Sequence, residues 1–116
     1  MSTPASELEV EPEQVVRWLD GDPEFQVVDV REGYEREAGH LAGSSHIELE
    51  HLSGRAGTID PARPVVFYCR LGGRSMMAAQ AFRASGYEAY SMRGGLVQWV
   101  AERRPITPQD GHVADH

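Results

Sequence analysis

Cys69 is the only cysteine of the chain, and it stands where an apolar run, Val65-Val66-Phe67-Tyr68, gives way to Arg70-Leu71-Gly72-Gly73-Arg74-Ser75 and then to a helical pattern. Two adjacent glycines let the backbone turn tightly and aim successive N–H groups inward, and a helix that follows adds the positive end of its dipole. Two guanidinium groups complete a setting for an anion. The thiolate is the nucleophilic form of cysteine, yet a free thiol with a pKa near 8.5 is only about 3% ionised at pH 7. Lowering that pKa by about two units takes roughly 2.7 kcal/mol. A helix N-terminus contributes up to about 2 kcal/mol in a partly buried geometry, and charge-assisted amide or Arg hydrogen bonds add the remainder. The pattern therefore reads as an activated nucleophile rather than an inert core thiol. Cys69 is the candidate catalytic residue, and Arg70, Leu71, Gly72, Gly73, Arg74 and Ser75 are the candidate substrate-binding residues, with Ser75 also suited to capping the helix.

The elements that hold this loop can be read on both sides of it. Pro12, after Glu11 in the cap position, opens an amphipathic helix carrying Val15, Val16, Trp18 and Leu19, which Asp20-Gly21-Asp22-Pro23 stops. Phe25 to Val30 is rich in β-branched residues and reads as a buried strand, and Val65 to Tyr68 as a central one. Shorter strands are expected at Ser45 to Leu49 and Tyr87 to Met92, with a helical turn from Tyr34 to Ala38. A helix from about Arg74 to Ser85 ends at Gly86, and Gly94-Gly95 turns into a last helix carrying Leu96, Trp99 and Val100. Alternating strands and helices imply an α/β fold with a largely parallel sheet and right-handed crossovers. Ligands on such sheets bind outside the carboxyl ends of the strands, the edge on which Cys69 falls. Residues 1–9 read as a flexible segment, 10–105 as the domain and 106–116 as a mobile polar tail.

Composition narrows the classes of function. With 116 residues, 41% of them hydrophobic, the chain makes one small domain. A net charge of -7 disfavours nucleic acid and anionic membrane surfaces as partners, both of which need a clustered basic face. A lone cysteine excludes an intramolecular disulfide and suits a reducing compartment, so a cytoplasmic protein is expected. Met1 to Glu7 has neither the basic nor the apolar part of a secretory signal, and no apolar run reaches the roughly 18 to 20 residues that span a bilayer. His40, His46 and His51 lack the spacing of ligands on one helical face, so no metal site is expected. Trp18 and Trp99 read as packing residues, and of Met76 and Met77 one is expected to pack while the other lines the pocket rim. Asp29 and Arg31 are candidate supporting residues, which either orient the loop or form a structural ion pair with Glu35.

Cys69-Arg70-Leu71-Gly72-Gly73-Arg74-Ser75 resembles the active-site loop of the rhodanese sulfurtransferases, in which four residues separate the cysteine from an arginine or similar group. Val28-Asp29-Val30-Arg31-Glu32 with Glu35 and Gly39-His40-Leu41-Ala42-Gly43 is similar to that family's first signature, and Gly94-Gly95 with Trp99 to its closing element. Ala42 stands where proline is frequent in the family, Ser44 where alanine is usual, and Leu71 is more apolar than many counterparts. The resemblance implies a rhodanese-like three-layer sandwich with a central, mostly parallel five-stranded sheet. It also implies a sulfurtransferase without cofactor, in which the Cys69 thiolate takes the outer sulfur of a small anionic donor such as thiosulfate. A thiol, cyanide or protein acceptor then removes that sulfur from the Cys69 persulfide, in two ping-pong half-reactions. Backbone amides between Arg70 and Ser75 would stabilise the persulfide, Arg74 would hold the sulfonate or leaving sulfite, and Arg70 would steer anions. Two alternatives stand beside this one. The first is a non-catalytic rhodanese-like interaction or regulatory domain. The second is a cysteine-dependent phosphatase or arsenate reductase, whose wider cradle has five residues between cysteine and arginine.

Overall fold

Alternation of side chains along the strands decides where each helix packs. The computed structural model describes residues 8–21 and 24–116. Its strands are β1 (Glu9–Val10), β2 (Gln26–Asp29), β3 (Ser45–His46), β4 (Val65–Tyr68) and β5 (Ala89–Met92). They form one five-stranded sheet in the order β1-β5-β4-β2-β3, with every pairing parallel. Helices α1 (Pro12–Gly21), α2 (Gly33–Ala38), α3 (Gly73–Ala84) and α4 (Gly95–Ala101) connect or follow the strands. A parallel sheet needs both faces covered, and its central strand β4 is buried at all four positions.

Val65 and Phe67 of β4 point to one side, where they pack with Val28, Val30, Ala89 and the α3 residues Ala78, Ala79 and Phe82. Val66 and Tyr68 point to the other, against Val15 of α1, Val27, Met92, and Leu96 and Trp99 of α4. Cys69 continues the first series, two residues beyond Phe67, and joins the α3-side cluster. The helix that starts immediately after the loop is therefore the one under which the thiol lies.

Several expectations meet a different arrangement. Strand β1 is absent from the sequence reading because two residues carry no periodicity; its Val10 pairs with Met92 at the sheet edge. Ser45 to Leu49 yields only the short β3, followed by 3-10 turns at Leu49–His51 and Ser53–Thr58. These turns bring Leu49, Leu52 and Ala56 against the α3-side core. Residues 1–7 of the expected flexible segment, and Asp22 and Pro23 of the expected helix stop, lie outside the described residues. Among the described residues no helix is long and apolar enough to cross a membrane.

The segment 106–116, read from sequence as a mobile tail, makes contacts with the domain. Thr107 and His40 exchange backbone hydrogen bonds of 2.9 and 2.7 Å, and the His112 N–H donates to the Ala38 carbonyl at 2.9 Å. Ile106 and Val113 pack on the cluster around Tyr68 and Trp99. Gly39 makes this close approach possible, since a Cβ there would lie 2.7 Å from the His112 carbonyl oxygen. The polar composition of the segment hides this docking because main-chain groups share the anchoring with two isolated apolar side chains.

Candidate active site

β4 ends at Tyr68, which places Cys69 at the carboxyl edge of the central strand. Its Sγ accepts the N–H of Gly72 at 3.0 Å and that of Ser75 at 3.4 Å, and lies 3.5 Å from Ser75 Oγ. Gly72 adopts φ +115°, a left-handed conformation that bends the chain into α3 and turns its own amide onto the sulfur. Ser75 is fully buried and links the loop to the sheet, through Gly72 O at 3.2 Å and Ser91 Oγ at 2.8 Å. It is not the helix cap expected from sequence; Gly72 holds that position.

The Gly94-Gly95 pair works on the same loop. Gly95 has φ +61°, and a Cβ there would overlap the carbonyls of Arg70 and Cys69, the latter at 2.6 Å. Without that Cβ the Leu96 N–H reaches the Cys69 carbonyl at 2.9 Å and the Val97 N–H reaches that of Arg70 at 3.1 Å. The loop carbonyls are thus held by α4. The N–H groups of Gly73 and Arg74, in the first turn of α3, have no acceptor within the helix.

Cys69 is only 1% exposed, yet it forms a wall of a cavity of about 220 Å³ shared with Arg70, Leu71, Gly73, Arg74 and His116. The sulfur is deep, but peptide donors turn toward it. Leu71 is exposed at the same cavity. Neither methionine takes part: Met77 instead lines a separate apolar groove with Leu52, Phe82 and Tyr87.

The two arginines of the loop differ in their surroundings. Arg74 donates NH1 and NH2 to the two carboxylate oxygens of Glu35 at 2.8 and 2.9 Å. That hydrogen bond raises the Arg74 pKa above its usual value, against the opposing effect of burial. Burial pushes the Glu35 carboxyl up, but hydrogen bonds from Arg74 and the Glu32 amide, with the charge of Arg74, outweigh it and hold the pKa below the usual carboxylate range. Arg70, by contrast, meets the highly exposed Asp115 carboxylate at 3.5 Å, and among the described residues its buried Nε has no hydrogen-bond partner. Arg31 does not pair with Glu35, as the sequence allowed. It donates Nε and NH2 to Asp29 at 2.9 and 2.7 Å and NH2 also to the Gly39 carbonyl at 2.7 Å. Tyr68 OH donates to Asp29 at 3.1 Å, and burial together with the Asp29 charge pushes its pKa up to about 12. Asp29 and Arg31 therefore lie under the end of β4, one residue from Cys69, and outside the cavity.

Glu35→Gln is expected to lower stability by about 3 kcal/mol near neutral pH, because it leaves a partly buried guanidinium without its counter-charge. A depressed carboxyl pKa contributes stability above its unfolded value, about 4.5, that is lost as pH falls through the folded value. Denaturation midpoints of the two proteins should therefore converge on acidification below that range. A constant gap down to the acid transition would exclude this pairing as a source of stability.

The histidines are dispersed. His40 Nδ1 meets the Arg36 carbonyl at 2.9 Å and His46 Nε2 the Arg31 carbonyl at 2.7 Å, while His51 lies between Glu48 and Glu50 on the exposed 3-10 turn. Trp99 is core, and Trp18 stacks on Phe25. Sequence reasoning missed Glu35 as the partner of Arg74, Ser91 as the partner of Ser75, the approach of Asp115 to Arg70, and the return of His116 to the cavity. The Glu32 to Glu35 spacing of a capping box was the one local signal among these.

Residues 11–102 match the family model for the rhodanese-like domain. This chain belongs to the rhodanese-like domain family. The rhodanese-like chain is 41% identical over 75 residues to YqhL of Bacillus subtilis, covering 64% of this chain and 60% of that protein, so it spans less than two thirds of that relative. It is 32% identical over 102 residues to the thiosulfate sulfurtransferase GlpE of Pseudomonas aeruginosa, covering 87% of each. A rhodanese-related protein from Thermoplasma volcanium superposes with a TM-score of 0.79 at 22% identity, covering 85% of this chain and 96% of that one, a likeness of fold.

Proposed function

We propose that this rhodanese-like domain is a sulfurtransferase in which Cys69 carries a sulfane sulfur as a persulfide between a small anionic donor and a thiophilic acceptor. The observation that carries the reading is the convergence of the Gly72 and Ser75 N–H groups on Sγ, at 3.0 and 3.4 Å, where Cys69 borders a cavity of about 220 Å³. In the first half-reaction the Cys69 thiolate attacks the outer sulfur of a donor such as thiosulfate. The donor S–S bond breaks and its electron pair leaves with sulfite. The persulfide anion then carries the charge that the loop amides are aimed to hold. In the second half-reaction a thiol, cyanide or a protein acceptor attacks the outer sulfur and Cys69 departs as thiolate.

The surroundings of the two arginines divide their roles. Arg74 is committed to both oxygens of Glu35, so it serves as a fixed positive wall, and Arg70, which lines the cavity and meets the highly exposed Asp115 at 3.5 Å, takes the donor's sulfonate oxygens. Leu71 offers an apolar rim to an acceptor thiol. Asp29 and Arg31 support the end of β4 rather than the reacting atoms. A tetrahedral oxyanion of the kind a phosphatase handles would want a free guanidinium fork beside the cysteine, and the one five residues on is engaged. That engagement, with GlpE as a relative of matching length, favours sulfur transfer over phosphate chemistry. A reducing compartment such as the cytoplasm suits the free thiol.

Initial rates with thiosulfate and a thiol varied together test the scheme. Parallel double-reciprocal lines are expected of a covalent carrier, and intersecting lines would argue for a ternary complex instead.

A further inference from the structure

The docked C-terminal segment brings an imidazole to the wall of the Cys69 cavity. His112 is tied to Ala38, Val113 packs on the core, the Asp115 carboxylate lies 3.5 Å from Arg70, and the His116 ring Nε2 lies 3.2 Å from Glu32 Oε2. Glu32 is itself fixed, since its N–H donates to Glu35 Oε1, the same oxygen that receives Arg74. His116 thus lines one cavity with Cys69 and a neighbouring one with Glu32, Glu48, Glu50 and Arg74. A carboxylate oxygen can only accept, so Nε2 carries the proton in this contact and Nδ1 is left as the basic nitrogen of the neutral ring. The imidazole thus stands between two adjoining cavities, with the nucleophile on the wall of one and its orienting carboxylate on the wall of the other.

We propose that His116 is the proton-transfer group of the acceptor half-reaction when the acceptor is a thiol. The inference rests on the sulfurtransferase reading above. Thiosulfate brings no proton to the site, whereas a thiol must lose one before its sulfur can attack. His116 Nδ1 takes that proton. The acceptor sulfur forms a bond to the outer sulfur, the bond from that sulfur to Cys69 Sγ breaks, and the electron pair returns to Cys69 as thiolate. The imidazolium then passes the same proton to the transferred sulfur, so that a thiol and an anionic Cys69 persulfide become a hydropersulfide and a Cys69 thiolate. The charged groups facing His116 are Glu32, Glu48, Glu50 and Asp115 on one side of the balance and Arg70 and Arg74 on the other, with Glu35 within electrostatic reach.

The test uses the full chain, wild type and His116→Gln, each loaded with thiosulfate and freed of donor before free cysteine is added. Glutamine retains a donor for Glu32 and keeps the segment in place. Loss of the persulfide, followed by mass, is expected to be about tenfold slower in the variant at pH 7, within the range of a general acid–base contribution. The difference should vanish at about pH 10, where an acceptor thiol of pKa about 8.5 is already ionised. Equal rates at pH 7, or the same slowing at both pH values, would overturn the assignment. Failure of the wild type to load at all would instead overturn the sulfurtransferase reading, and this inference with it.

Discussion

Cys69→Ser is expected to lower sulfur transfer by a factor of about 10⁴ or more while leaving the fold in place. Loss of a nucleophile that acts in a concerted constellation has effects of that size or larger. A serine hydroxyl is not ionised near neutral pH and forms no persulfide, so neither half-reaction proceeds. The fold is preserved because the hydrogen-bonding contacts of Sγ also suit an oxygen. The Gly72 and Ser75 amides donate to it, and Ser75 Oγ, 3.5 Å away, can exchange a hydrogen bond with it. The loop itself is held from behind, by Leu96 and Val97 on the carbonyls of Cys69 and Arg70. Turnover with thiosulfate and a thiol, measured beside the unfolding midpoint, checks both halves of the statement. Retained turnover would remove Cys69 from the mechanism, and a collapsed midpoint would show that the sulfur is needed for the fold.

Asp29→Ala has the largest expected effect on stability, about 3 to 5 kcal/mol, from a total that for domains of this kind is about 5 to 15. Arg31 is wholly buried, and Asp29 receives its backbone N–H, Nε and NH2 together with Tyr68 OH. Among the described residues, Arg31 NH1 already lacks a hydrogen-bond partner. Removing the carboxylate leaves a guanidinium in the core with one carbonyl, Gly39 O, as its remaining acceptor. The penalty is that of an unpaired buried charge, so it should be relieved by removing the charge as well. The double variant Asp29→Ala, Arg31→Leu is expected to recover part of the loss, which urea denaturation of the four members of the cycle measures. A single-variant cost below about 1 kcal/mol would place this pair among surface ion pairs in its energetics.

What could be read from sequence is what is local. The run from Val65 to Ser75 states strand, turn and helix within eleven positions, and its period of two puts Cys69 on the same face as Phe67 and beneath α3. The Gly94-Gly95 motif was visible as a turn, but its purpose, letting α4 approach the Cys69 carbonyl, depends on contact across 26 positions. The partner of Arg74 was hidden for the same reason: Glu35 is 39 positions away, and nothing in composition distinguishes it from Asp29 as a counter-charge. The sequence allowed Arg31 to pair with Glu35, whereas the bend after β2 folds Arg31 back onto Asp29, two residues earlier. The contacts of the segment after Pro105 were not legible, because apolar content was the guide and the anchors are main-chain hydrogen bonds and the side chains of Ile106 and Val113.

On the sulfurtransferase reading, a nest of peptide N–H groups equips Cys69 to hold a second sulfur atom. Intact-protein mass measured after incubation with thiosulfate and removal of the donor tests it most directly. The wild type is predicted to gain the mass of one sulfur atom, located on Cys69 and released by excess thiol, and Cys69→Ala is predicted to gain nothing. An unchanged mass in the wild type, or an equal gain in Cys69→Ala, would contradict the account.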